Sequence, residues 1–108
     1  KIRATAEYDA AAVLINMAAW GRATVVLEDF RRNYPDSEYV DDITQKLAVS
    51  YLETGRGAEA AGEFERIAAD PDSTDDVKRE ALWKASELYK ASGQTVAEQR
   101  VLQNIVDR

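Results

Sequence analysis

Residues of matched size recur along this chain at an interval of 37, without a gap. Ala11, Ala48 and Ala85 fall in one column, and Leu14, Tyr51 and Leu88 in a second. Ala18, Gly55 and Ser92, then Ala23, Ala60 and Ala97, then Leu27, Phe64 and Val101 make three more. A unit of that length is too short to bury its own apolar face, so the period implies stacking on neighbouring units. A closed helical bundle would need no such recurrence. With 108 residues the chain holds close to three periods, expected at about 4–37, 38–74 and 75–108 of a single domain.

The breakers show what each unit contains. Gly21, Pro35, Gly55, Gly57, Pro71 and Gly93 separate segments with helical apolar spacing. The spacing predicts helices over Ala4 to Met17, Arg22 to Asn33, Glu38 to Leu52, Ala58 to Ala69, Asp75 to Lys90 and Val96 to Asp107. The β-branched pair Val25-Val26 sits among Leu27 and Phe30 at helical spacing, so the fold class is all-α. Short connections make successive helices antiparallel. Ser37, Ser73 with Asp76, and Thr95 with Glu98 offer caps to the third, fifth and sixth helices. Asp36, Glu38, Asp41 and Asp42, like Asp72, Asp75 and Asp76, then fall in first turns, where exposed N–H groups favour negative charge.

Composition narrows the chemistry. Eighteen alanines supply much of the apolar count, so the core must be built from close helix approach more than from large side chains. Without cysteine or histidine the chain has no disulfide, thiolate, imidazole base or imidazole metal site. The acids gather at solvated helix starts, which does not suit catalytic carboxylates, so no enzyme activity and no cofactor are expected. The stretch Asp70 to Asp76 echoes a calcium loop but lacks its central glycine and twelfth-position glutamate. A net charge of −6 opposes nucleic acid and anionic membranes as partners, and no run of residues is long and apolar enough to span a bilayer. The chain starts on Lys1 and ends on Arg108 inside a helical pattern, as expected of a piece of a longer polypeptide.

The second period, Leu47-Ala48-x-x-Tyr51-x-x-x-Gly55-x-x-x-x-Ala60-x-x-x-Phe64-x-x-Ile67 with Pro71 beyond, resembles the tetratricopeptide repeat family. The first matches at Ala11, Leu14, Ala18, Ala23, Leu27, Phe30 and Pro35; the third matches at Ala85, Leu88, Ser92, Ala97 and Val101 and departs at Asn104. The resemblance implies three stacked antiparallel helix-turn-helix hairpins in a short right-handed superhelix. The long period and the Tyr34-Pro35-Asp36-Ser37 motif are similar to the variant frequent in bacterial envelope proteins, such as outer-membrane assembly lipoproteins and the Tol-system coordinator, which implies a periplasmic setting with a cytoplasmic one as the alternative.

In that family the first helix of each hairpin lines a concave face that receives a peptide or helix of a partner protein. Carried over by position, the first repeat supplies Thr5, Tyr8, Ala12, Ile15 and Asn16. The second supplies Asp42, Gln45, Val49, Leu52 and Glu53, and the third Arg79, Leu82, Ser86, Tyr89 and Lys90. Each set follows one stripe of a 3.6-residue helix and mixes apolar contact area with groups that orient a backbone. Ile15, Val49 and Leu52 also suit the core between hairpins. Trp20 and Trp83 are expected to pack at hairpin interfaces. The last helix would leave Val101, Leu102, Ile105 and Val106 open to a further repeat or a second copy. The alternative to a binding module is a structural spacer with no ligand of its own.

Overall fold

The computed structural model describes the backbone of residues 2–106 and the side chains of residues 3–106. Asp107, the expected end of the last helix, lies outside the described residues. The chain is all-helical: α1 (Ile2–Asn16), α2 (Trp20–Asn33), α3 (Val40–Glu53), α4 (Gly57–Ala69), α5 (Asp75–Ala91) and α6 (Thr95–Val106), with no strand among the described residues. It divides into two compact units at the turn after α3, residues 1–55 and 56–108.

In the first unit α2 runs antiparallel to α1 and α3. The Tyr34 hydroxyl donates to Glu7 at 2.7 Å, tying the end of α2 to the start of α1, and the Tyr51 hydroxyl of α3 donates to Glu28 of α2. Leu27, Phe30, Ile43 and Leu47 are fully buried, with Ala11, Ala23 and Ala48 where backbones come close. Buried hydroxyls are satisfied locally: Thr24 donates to the Gly21 carbonyl, Thr44 to Val40 and Ser50 to Lys46.

The second unit has a core of small residues. Ala61, Ala68, Ala81 and Ala85 surround Leu82, Tyr89 and Val101, with Phe64, Ile67, Leu88 and Ile105 packed around them. A Cβ added to Gly57 would lie 3.9 Å from Leu88, while Ala68 and Leu82 line one cavity, so α4 and α5 are antiparallel.

Three of the turns between helices share one backbone form, which aligns α5 with the earlier helices. Ala18 (φ 56°), Gly55 (φ 73°) and Gly93 (φ 76°) each hold the left-handed conformation that ends a helix. After α1, the Ala19 N–H reaches Leu14 O at 2.8 Å and Ala18 reaches Ile15 O at 2.9 Å. After α5, Gln94 reaches Tyr89 O at 2.8 Å and Gly93 reaches Lys90 O at 3.2 Å. Gly93 thus occupies the turn position the sequence period gave to Ser92, and Tyr89 the position given to Leu88. The α3 residues Ile43, Thr44, Leu47, Ala48 and Tyr51 map 38 positions on, not 37, to Ala81, Leu82, Ala85, Ser86 and Tyr89, and all ten are buried. One residue of slip turns a helix by about 100°, so the correction changes which face of α5 points inward.

All three of the expected caps also differ. Thr74, not Ser73, caps α5 by accepting from the Val77 N–H at 3.2 Å, while the Ser73 hydroxyl donates back to Ile67 O at 2.9 Å. Ser37 accepts from the Tyr39 N–H at 3.1 Å within the loop, and α3 starts only at Val40. Thr95 is the first residue of α6 rather than its cap.

Candidate functional site

The first unit presents a recessed face along α1 and α3. Ile15, the first α2 residue Trp20, and Asp42, Gln45, Lys46 and Val49 of α3 line a cavity of about 220 Å³. Val49 is 46% exposed and Gln45 is exposed, so apolar and amide groups stand open side by side. At the edge of this cavity the Tyr8 hydroxyl donates to Asp42, whose carboxylate also pairs with Lys46 at 3.0 Å. The ammonium sits 5.6 Å from the Tyr8 ring centroid. Tyr8 in turn stacks on Tyr39 at 4.4 Å, with Phe30 beneath both rings. The bond to Asp42, with burial, raises the Tyr8 pKa above its ordinary 10.0. Burial alone would raise the Asp42 pKa, but the Tyr8 hydroxyl and Lys46 hold it below 3.8.

Beyond Tyr39 the face opens into a second cavity of about 560 Å³, lined by Ala4, Thr5 and the 33–39 segment. Tyr34 and Tyr39 form its aromatic sides. Phe30 supports Tyr34 at 5.1 Å, and Glu7 holds the Tyr34 hydroxyl.

The second unit repeats the tyrosine, carboxylate and cation grouping in a different arrangement. Tyr89 of α5 donates to Glu65 of α4 at 2.5 Å, and Arg100 of α6 reaches both Glu65 oxygens at 2.7 and 2.9 Å while lying 5.9 Å from the Tyr89 ring centroid. Burial and then the Glu65 bond raise the Tyr89 pKa.

The structure brings together Tyr8, Ile15, Asp42, Gln45 and Val49 on one face of the first unit. Thr5 lies at its far end, Ala12 and Leu52 are half-buried, and Asn16 and Glu53 are exposed. On α5 the expected stripe is split. Leu82 (1% exposed), Ser86 (3%) and Tyr89 (9%) are core residues, whereas Arg79 and Lys90 are exposed. The one-residue slip is the cause: the position equivalent to Gln45 is Trp83, not Leu82. Trp83 is 50% exposed and is not part of the core cluster of its unit. Trp20 is half-buried and lines the smaller cavity. On α6, Val101 is buried, Leu102 and Ile105 are half-buried, and Val106 is 77% exposed.

The sequence reading missed Lys46, Tyr34 and Tyr39 as members of this face. Lys46 was detectable as the i,i+4 partner of Asp42. The two tyrosines flank Pro35 in a loop, where helical spacing carries no information.

Among the described residues no group of three or more carboxylates could hold a metal ion, and no helix is long and apolar enough to cross a membrane. No family model matches the chain, and neither a curated protein nor a solved structure matches it.

Proposed function

We propose that the chain is a non-enzymatic protein-interaction module built as a tetratricopeptide-like stack of helical hairpins, and that the α1–α3 face of its first unit binds a segment of a partner protein. The observation that carries this reading is the open cavity at Ile15, Trp20, Gln45 and Val49. An apolar floor beside an exposed amide suits a side-chain anchor with a neighbouring backbone hydrogen bond. The recurrence of the left-handed turn at Ala18, Gly55 and Gly93, and of the tyrosine–glutamate bonds Tyr51–Glu28 and Tyr89–Glu65, supports the repeat architecture. In such a stack the recessed faces of successive first helices line up to receive an extended or helical chain.

The test is selection of a random peptide library on the immobilised protein, followed by calorimetric titration of a recovered peptide. A dissociation constant on the order of micromolar is expected for so small a module. Changing Gln45→Ala with Val49→Ser should weaken binding at least about tenfold, or about 1.4 kcal/mol, with an unchanged helical circular dichroism signal. Changing the exposed α2 residues Arg22→Ala with Val25→Ser should leave it intact. No recovered peptide, or equal loss in both variants, would favour the spacer reading.

A further inference from the structure

The two cavities of the first unit lie along one line of α1. Ala4 lines the larger and Ile15 the smaller, and eleven residues of helix bring them back to within about 20° of each other around the axis, roughly 15 Å apart. Tyr8 lies between Ala4 and Ile15 on that helix, and its hydroxyl bonds Asp42 at the edge of the smaller cavity. A bound segment that follows this line meets two different chemistries.

At the Ile15 end the apolar groups Ile15, Trp20 and Val49 share the cavity with Gln45 and with Asp42 and Lys46, whose charges pair with each other. At the Ala4 end the surroundings are aromatic and anionic. Tyr34 and Tyr39 are held in place from behind, by Glu7 and Phe30 in one case and by stacking on Tyr8 in the other. Asp36 and Glu38 line the same cavity and are exposed, and neither makes an ion pair or side-chain hydrogen bond among the described residues. No basic residue lines it. Arg3, whose charge acts on the Tyr34 hydroxyl, is not among the lining residues. Rings fixed before binding, beside carboxylates without a counter-charge, form a receptor for an organic cation.

Resting on the reading of this face as a binding surface, we propose that the first unit recognises a segment with two anchors: a large apolar side chain seated at Ile15, Trp20 and Val49, and a lysine or arginine seated between Tyr34 and Tyr39 beside Asp36 and Glu38. The 15 Å spacing sets their separation at about four or five residues if the segment is extended and about ten if it is helical. The cation supplies the direction of binding, because Asp36 and Glu38 at the Ala4 end have no ion pair whereas Asp42 at the Ile15 end is paired with Lys46.

The probes are the peptides recovered from the random library, together with a synthetic copy of the strongest in which each arginine is replaced by citrulline, or each lysine by norleucine. Recovered sequences should pair an apolar residue with a basic one at either of those separations. The neutral copy should bind about tenfold more weakly. Asp36→Asn with Glu38→Gln should erase that difference without lowering the thermal midpoint, and resonances of Tyr34 and Tyr39 should shift only with the charged peptide. Recovered peptides that depend on Val49 but show no basic residue, or a neutral copy that binds equally well, would overturn the two-anchor proposal and leave the binding face standing. Recovery of no peptide would overturn both.

Discussion

Each unit contains a tyrosine whose hydroxyl donates to a carboxylate and whose ring faces a cation, yet the two groupings do different work. In the second unit Tyr89, Glu65 and Arg100 come from three helices, so the grouping ties α4, α5 and α6 together. In the first, Asp42 and Lys46 lie one turn apart on α3, and only Tyr8 reaches across from α1. The cores differ in the same sense. Phe30, Leu27, Ile43 and Leu47 fill the first with large groups, while alanines at 61, 68, 81 and 85 let helices approach closely in the second. The first unit has a fully buried aromatic ring, Phe30, at its centre, and the second leaves its largest side chain, Trp83, 50% exposed.

That contrast predicts opposite sensitivities. Phe30→Ala should cost about 3–5 kcal/mol, since a fully buried ring leaves a cavity the surrounding helices cannot collapse. Ala85→Leu should cost about 1–3 kcal/mol by overpacking the seam of the second unit. Chemical denaturation followed by circular dichroism gives both numbers. If Phe30→Ala costs less than about 1 kcal/mol, the first unit is not organised around its aromatic cluster.

The α5 register offers a sharper comparison inside the second unit. Leu82→Ala should cost about 2–5 kcal/mol, and its neighbour Trp83→Ala should stay within about 0.5 kcal/mol. Trp83 fluorescence should be red-shifted and readily quenched. A period of 37 carried through α5 would reverse these outcomes.

The same slip marks the limit of what the sequence disclosed. Helix number and type were legible because Gly and Pro punctuate strong apolar periodicity, and the predicted ends fall within a few residues of those observed. The pattern in α5 was ambiguous, because Ala81-Leu82 and Ala85-Ser86 place two adjacent small or apolar residues per turn, and either member of each pair fits an inward position. Only the turn at Gly93 and the Tyr89–Glu65 bond decide between them. On the first unit the stripe Tyr8, Ile15, Gln45 and Val49 followed from the tetratricopeptide resemblance, and helical spacing agrees with it. The aromatic cavity was not, because Tyr34 and Tyr39 are brought together by a loop and by stacking on a residue far away in sequence.

The hairpin turns give a smaller, signed comparison. Ala18 holds φ 56° where Gly93 holds φ 76°. A Cβ in the left-handed region costs roughly 1–2 kcal/mol, partly offset by the smaller entropy alanine loses on folding. Ala18→Gly should therefore stabilise by about 0.5–1 kcal/mol, and Gly93→Ala, which meets no steric obstacle within 4 Å, should destabilise by a similar amount through backbone strain alone. Thermal midpoints that move the same way in both variants would show that the two turns are not equivalent.

The smallest effect expected is electrostatic and belongs to the first unit. The Asp42 pKa is held below its ordinary value because the Tyr8 hydroxyl and Lys46 outweigh burial. A depressed carboxyl contributes stability above its unfolded pKa of about 4, and that contribution disappears as pH falls through the lower folded value. Asp42→Asn keeps an oxygen that accepts from Tyr8 but removes the charge that pairs with Lys46, so it isolates the ionic part. With Asp42 42% and Lys46 26% exposed, solvent screens the pair, and a loss of about 0.2–1 kcal/mol at neutral pH is expected. The difference between wild type and variant should shrink to near zero once the medium is more acidic than the folded Asp42 value, and it should shrink in high salt as well. A difference that stays constant across the acid limb would mean that Asp42 acts through its hydrogen bond and shape. The first unit would then owe the geometry of this face to ring stacking on Tyr39 rather than to charge.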